Sequence, residues 1–268
     1  MNAEHAPAGR RVLRRCAAPV TILILGFLPY YNSLENSFHY DDEHSIVENP
    51  HIRSLSNIPQ FFVDPGTFSG LEGARMYRPL TVTTLALNYV LGEYEPFGYH
   101  LVNLFFHLAN ATLLWILATR LGVAPRPAFA VALLFVVHPL GTEPVNYISS
   151  RSSLLTAFCY LLGFVFLARS HIGGVGWIAS ISACYLGGLA SKAVAASFPL
   201  VAASYLWGRS RAKNWQVPAV LLAITALYVA GTRAVVSKAM LEPVRPFGAQ
   251  VATQLKAVVF YIWTVGMP

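Results

Sequence analysis

Residues Tyr99 to Thr119 read YHLVNLFFHLANATLLWILAT. No Asp, Glu, Lys or Arg interrupts this block, and a helix of such length, rising about 1.5 Å per residue, crosses a hydrocarbon core about 30 Å thick. A helix on the surface of a soluble protein would carry a charged face opposite its apolar stripe; here polarity is confined to His, Asn and Thr. The block predicts a membrane-spanning helix. Working outward, comparable blocks occupy Ala17–Tyr31, Ala128–Pro139, Leu154–Ala168, Val175–Ala190, Val194–Trp207 and Val217–Gly231. The expected fold is all-α, a polytopic membrane protein of about seven to eight spans, the last depending on whether Val251–Val265 crosses the bilayer or lies at its interface.

Composition agrees. The chain has 268 residues, 55% hydrophobic and only 12% charged, where soluble domains carry roughly 25% charged residues. A water-soluble globule, a disordered chain and a disulfide-stapled module are all excluded. Of the cysteines, Cys159 and Cys184 sit in apolar blocks as small hydrophobes, and Cys16 lies near the basic amino terminus. No phosphate-cradling Gly-rich loop, zinc-protease His-Glu-x-x-His or nucleophile elbow is present.

The first block follows Arg10, Arg11, Arg14 and Arg15 and ends in Pro29, Tyr30, Tyr31 and Asn32. Aromatics at an interface suit a retained helix better than a cleaved signal, which needs small residues at its cleavage site. With the amino terminus cytoplasmic, the inner segments hold those arginines together with Arg120, Arg126, Arg169, Arg209, Arg211 and Lys213, and Glu4 as their acid. The positive-inside rule favours this orientation. The net charge of +7 then reflects topology and gives no support to a nucleic-acid partner. The organisation expected is a basic cytoplasmic amino terminus, 1–16, and a single transmembrane module, 17–268, whose largest non-spanning piece is an outer loop, 32–98. The predominance of Arg over Lys favours a bacterial cytoplasmic membrane over the endoplasmic reticulum.

A loop of that length is a place to look for function. Leu55, Ile58, Phe61 and Phe62 have the spacing of a short interfacial helix, and Pro79–Leu91 predicts a second one, interfacial or partly re-entrant. Directly after the first span stands His39-Tyr40-Asp41-Asp42-Glu43-His44. Adjacent carboxylates repel, which can bring one into the range of a general base, or let the group hold a divalent cation or a cationic partner. A solvated acidic turn is the plain alternative. Arg75, Arg78, Arg151 and Lys192 fall on the same outer side, where Arg and Lys suit a phosphate headgroup, with snorkelling to lipid as the alternative. In His138-Pro139-Leu140-Gly141-Thr142-Glu143-Pro144 the prolines break a helix. His138 and Glu143 could orient a hydroxyl or form a structural pair; their spacing matches no established metal site. The small-residue run from Gly173 to Ala190 predicts close helix packing. Asn110-Ala111-Thr112, a glycosylation triplet, falls inside a span.

Five stretches in order carry a family resemblance: FHYDDEHSIVENP from Phe38, YRPLTVTTLALNY from Tyr77, PFGYHLVNLFFHL from Pro96, HPLGTEPV from His138 with Arg151 beyond it, and SKAVAASFP from Ser191. Together they resemble the transmembrane and tetratricopeptide-repeat O-mannosyltransferases, of the C superfamily of glycosyltransferases. The resemblance implies transfer of a mannose-type sugar from a polyprenyl-phosphate donor to a hydroxyl acceptor on the outer or lumenal face. It implies a catalytic role for Asp41, as base, and Asp42, orienting the acceptor or a cation. It further implies phosphate contacts for Arg78, Arg151 and Lys192, and positioning by His138 and Glu143. Where the family has an acid after the lysine, this chain has Ala193, and a form lacking the repeats is expected. Two readings follow: a minimal enzyme, or a catalytically retired fold serving as a structural subunit of a larger membrane complex. The expected partners are membrane lipids, the polyprenyl-phosphate carrier and, on the second reading, other membrane subunits. No cofactor is required beyond the lipid-linked donor, with a divalent cation allowed.

Overall fold

A computed structural model describes residues 8–71, 73–169, 174–209, 214–237 and 246–266. Gly173, Arg211 and Lys213, and the side chains of residues 1–16, lie outside the described residues. Helix α1 (Ala8–Phe27) runs into a 3-10 stretch, Leu28–Glu35, and the loop that follows holds one-turn helices, among them α2 (Ile58–Phe61). Then come α3 (Pro79–Gly92), α4 (Pro96–Arg120), α5 (Pro125–Val137), the short α6 (Thr142–Asn146), α7 (Arg151–Leu167), α8 (Val175–Leu189), α9 (Phe198–Gly208), α10 (Gln216–Ser237) and α11 (Phe247–Gly266). No strand occurs among the described residues. Proline starts α3, α4 and α5, where its fixed φ suits the first turn and its missing N–H is no loss.

This is an all-α, multi-pass membrane protein, with fewer full spans than the seven to eight expected. Among the described residues, four helical stretches are long and apolar enough to cross a bilayer: Ala17–Glu35, Pro96–Arg120, Ile148–Leu167 and Gln216–Arg233. A fifth is reached if α5 and the Pro139–Asn146 segment, bent by 54°, form one broken span. That break sits where His138 precedes Pro139, a position biased to extended backbone. Helix α8 has 15 residues, about 22 Å of helix, and α9 is shorter still. Helix α11 holds Gln250, Gln254 and Lys256 and is not among the spans. Hydrophobic runs alone do not show where a helix stops, hence the excess.

Helix α7 is the centre of the bundle, packed between α4 and α8. Its core with α8, α9 and α10 includes Phe164, Leu167, Tyr185, Leu189, Phe198 and Leu221. In lipid, small residues decide how closely helices meet. A Cβ on Gly163 of α7 would lie 2.9 Å from the Phe198 ring, and one on Gly26 of α1 would lie 2.5 Å from Val136 of α5. Gly187 and Gly188 meet Cys159 and Ala195 in the same way, as the small-residue run predicts. The large loop has its own core: Ile46, Ile52, Phe61 and Phe68 pack on Val82, Leu85 and Ala86 of α3, Tyr99 of α4 and Ile148. The loop is thereby folded against one end of the bundle, with α3 a helix over the segment where the sequence predicts one and α2 reduced to a single turn.

Candidate functional site

The two adjacent aspartates part company. Asp42 is 0% exposed. Its Oδ1 accepts hydrogen bonds from the Ser149 backbone N–H and hydroxyl, both at 2.7 Å, and its Oδ2 accepts one from the His39 N–H at 3.2 Å. A second serine, Ser45, bonds Ser149 Oγ at 2.7 Å. A buried carboxylate needs such donors, and here they pin the acidic loop to the turn that precedes α7. Asp42 is thus held away from solvent as an anchor. Asp41 remains 59% exposed, its Oδ1 3.6 Å from His44 Nε2. Beside it Tyr40 holds φ at +52° and is 89% exposed, a conformation uncommon outside glycine and asparagine.

Asp41 lines a cavity of about 530 Å³ with His39, Tyr40, Thr142, Glu143, Asn146 and Tyr147. Burial, and then the Asp41 carboxylate acting by hydrogen bonding and charge, push the Tyr147 phenol up. Glu143, on the short α6, shares this wall and accepts from the Ser150 hydroxyl at 3.5 Å. His138 accepts from the Leu140 N–H at 3.2 Å, capping the turn that breaks the helix. No hydrogen bond or ion pair joins His138 to Glu143, so the structural pair considered from sequence does not form. His138 shapes the turn and Glu143 faces the cavity.

The cations converge on the first turn of α7. Arg78, at the entry to α3, donates from Nη1 to Ser152 Oγ at 3.0 Å; Lys192 donates from Nζ to Ser153 Oγ at 2.9 Å. Helix α3 holds them side by side, because Leu80 N–H bonds Ala190 O at 3.0 Å and the Thr81 hydroxyl reaches Ser191 O at 3.5 Å. Burial pulls both cations below their usual pKa; Asp41 counteracts this at Arg78. At Lys192 the neighbouring Arg78 charge adds to the depression while Glu143 opposes it. The charges of Asp41 and Glu143 thus reach this basic pair. Neither cation has a carboxylate within 4.0 Å among the described residues.

Arg151 does something different from the phosphate contact expected of it. It is 0% exposed. Nε bonds Asn103 Oδ1 at 2.8 Å, Nη1 bonds Asn88 Oδ1 at 2.6 Å and Thr84 O at 3.1 Å, and Nη2 bonds Tyr99 O at 2.9 Å. With a guanidinium's few N–H groups so occupied, Arg151 ties α7 to α3 and α4 and has little left for a ligand. The run Ser149-Ser150-Arg151-Ser152-Ser153 is the organising segment: it holds Asp42, the three-helix tie, Arg78 and Lys192 in turn. Reading the sequence for charge alone misses these serines, as well as Asn88, Asn103 and Tyr147; a serine-flanked arginine opening an apolar helix was the available signal. For the divalent cation, no group of three or more His, Cys, Asp or Glu among the described residues converges as a metal site needs.

Fold and site together define a polytopic helical membrane protein with an Asp41-lined cavity at one end of its bundle and, at the first turn of α7, the neighbouring Arg78–Lys192 pair. Comparison with known proteins extends this. The chain is 37% identical over 165 residues to Protein O-mannosyl-transferase Tmtc3 of Drosophila melanogaster, a match covering 53% of this chain and 18% of that protein. It is 35% identical over 153 residues to TMTC3 of Homo sapiens, with 55% and 17% covered, and 33% identical over 175 residues to human TMTC1, with 62% and 20% covered. The resemblance carried by the five motifs is thus a similarity to the TMTC protein O-mannosyl-transferases. The chain spans about a fifth of the length of these relatives. They are animal proteins, and the preference for a bacterial membrane finds no support in them. No family model matches the chain, and no solved structure does.

Proposed function

We propose that this protein transfers a mannose-type sugar from a polyprenyl-phosphate carrier to a hydroxyl acceptor. The site lies on the outer or lumenal face, with the amino terminus on the cytoplasmic side as charge sorting favours. The observation that carries the reading is a juxtaposition: Asp41, solvent-accessible, lines the cavity, while Arg78 and Lys192, with no carboxylate within 4.0 Å among the described residues, sit at the first turn of α7 within reach of the Asp41 and Glu143 charges. In the transfer, the acceptor oxygen forms its bond to the anomeric carbon while Asp41 takes the hydroxyl proton. The bond from that carbon to the phosphate oxygen breaks and its electron pair stays on the phosphate. Arg78 and Lys192 stabilise the charge that grows there. The relatives named as protein O-mannosyl-transferases support the sugar, and the apolar flanks of the cavity support a lipid-borne donor.

Membranes containing the chain and supplied with labelled polyprenyl-phosphate mannose should transfer label to a hydroxyl acceptor. Asp41→Asn should lower that transfer by about 10² to 10⁴-fold, the span of a lost general base. Transfer unchanged in Asp41→Asn would remove the catalytic role. A wild-type protein that binds partner subunits in fixed ratio and never turns over the donor would favour the retired, structural reading.

A further inference from the structure

The opposite end of the bundle carries a second charged cluster that sugar transfer does not use. Helices α4, α7 and α9 all end there, and each end exposes carbonyls that lack intrahelical partners. Three arginines gather at these ends, and two of them reach over to free carbonyls. Arg120 Nη1 donates to Val165 O of α7, and Arg209 Nη2 donates to Leu121 O, just past α4, at 3.2 Å. The Arg169 guanidinium lies 5.4 Å from the Phe166 ring centroid and that of Arg209 lies 5.7 Å from Tyr205. Arg120 and Arg169 are close enough to repel.

Every Asp and Glu among the described residues belongs to the 32–98 loop or to the 138–150 connection, at the other end. Among the described residues the cluster has no carboxylate within 4.0 Å. Trp207 and Trp215, with ring centroids 6.3 Å apart, sit where α9 ends and α10 begins, the place of an interfacial aromatic belt. Trp177 Nε1 donates to Phe166 O at 2.8 Å and fixes the start of α8 to the end of α7. The cations are thus gathered from separate helices at the end where Trp207 and Trp215 stand.

We propose that Arg120, Arg169 and Arg209 form a binding site for the phosphate of an anionic glycerophospholipid in the leaflet at this end. Guanidinium groups in a fixed fork match phosphate oxygens, and basic pockets between spans bind such headgroups. A lipid is favoured over a soluble anion because the site lies at helix ends beside interfacial tryptophans.

The test uses the purified full chain in neutral detergent, with phosphatidylglycerol and phosphatidylcholine compared by native mass spectrometry. Wild type should prefer phosphatidylglycerol, by roughly fivefold for each arginine engaged, and Arg120→Gln/Arg169→Gln/Arg209→Gln should bind the two alike. Because Arg120 and Arg209 also cap helices, Arg169→Gln alone, which leaves both caps in place, should lose roughly fivefold. No preference in wild type, a preference kept by Arg169→Gln and the triple variant, or displacement of the bound lipid by millimolar inorganic phosphate would each overturn the proposal. Sugar transfer at the far end is read in parallel, so failure here and failure of the proposed activity are distinguishable.

Discussion

The two ends of this bundle are built from the same helices, yet they solve opposite electrostatic problems. At the end holding the 32–98 loop, acids and bases occur together, and the bases are partly buried on serine hydroxyls without close carboxylates. At the other end, arginines alone cap carbonyls at helix termini, where a cation is favourable against the helix dipole. Arginine at a helix C-terminus needs no further explanation for its stability, whereas Arg78 and Lys192, crowded together and desolvated, stand at a disadvantage until an anion arrives. On the functions proposed, the contrast is between a site organised around chemistry and one organised around the membrane.

The strongest way to break this contrast is to remove the acid. Asp41→Asn should cost transfer about 10² to 10⁴-fold and leave thermal unfolding in detergent unchanged, because Asp41 is largely exposed. Asp42→Asn should do the reverse in kind, lowering the unfolding temperature, because Asp42 is buried on three donors. Equal behaviour of the two variants in both assays would contradict their separation.

Arg151→Met comes next. It leaves the Asn88 and Asn103 side-chain oxygens without their arginine partner and the Thr84 and Tyr99 carbonyls with their helical bonds alone, a loss of about 3 kcal/mol in unfolding free energy. Arg151→Lys, with fewer donors, should recover part of that stability. If instead Arg151→Met unfolds like wild type but loses donor affinity, Arg151 is a phosphate ligand after all.

A smaller effect is expected from the basic pair. Arg78→Gln or Lys192→Gln should raise KM for the lipid donor by about tenfold, the worth of one charge-assisted hydrogen bond. Smallest is the pH response. Lys192 is held below the ordinary lysine pKa by burial and by Arg78, so its charge is present below that lowered pKa and lost as pH rises through it. The alkaline limb of kcat/KM should therefore lie below the usual lysine range, and Lys192→Arg, which keeps its charge, should move the limb upward. A limb that Lys192→Arg does not move would assign the titration elsewhere.

Much of this is legible in the sequence. Long uncharged blocks mark α1, α4, α7 and α10, and Pro79 marks the start of α3. Arg78, Lys192, Asp41 and Glu143 were placed on one side by counting spans. What sequence could not reveal is environment. Asp41 and Asp42 are neighbours of identical type, and only the approach of Ser149 from far along the chain buries one and spares the other. Arg151 looks like any outer-face cation until Asn88 and Asn103 close around it. The short helices α8 and α9 and the bend at Pro139 inflated the number of spans because apolar composition persists past the point where helix geometry stops.

The decisive measurement is a structure of the Asp41→Asn protein bound to a polyprenyl-phosphate sugar. The phosphate oxygens should stand about 3 Å from Arg78 and Lys192, near Ser152 and Ser153, with the anomeric carbon facing residue 41. A phosphate seated elsewhere, with residue 41 turned to bulk water and no sugar in the cavity, would contradict the assignment.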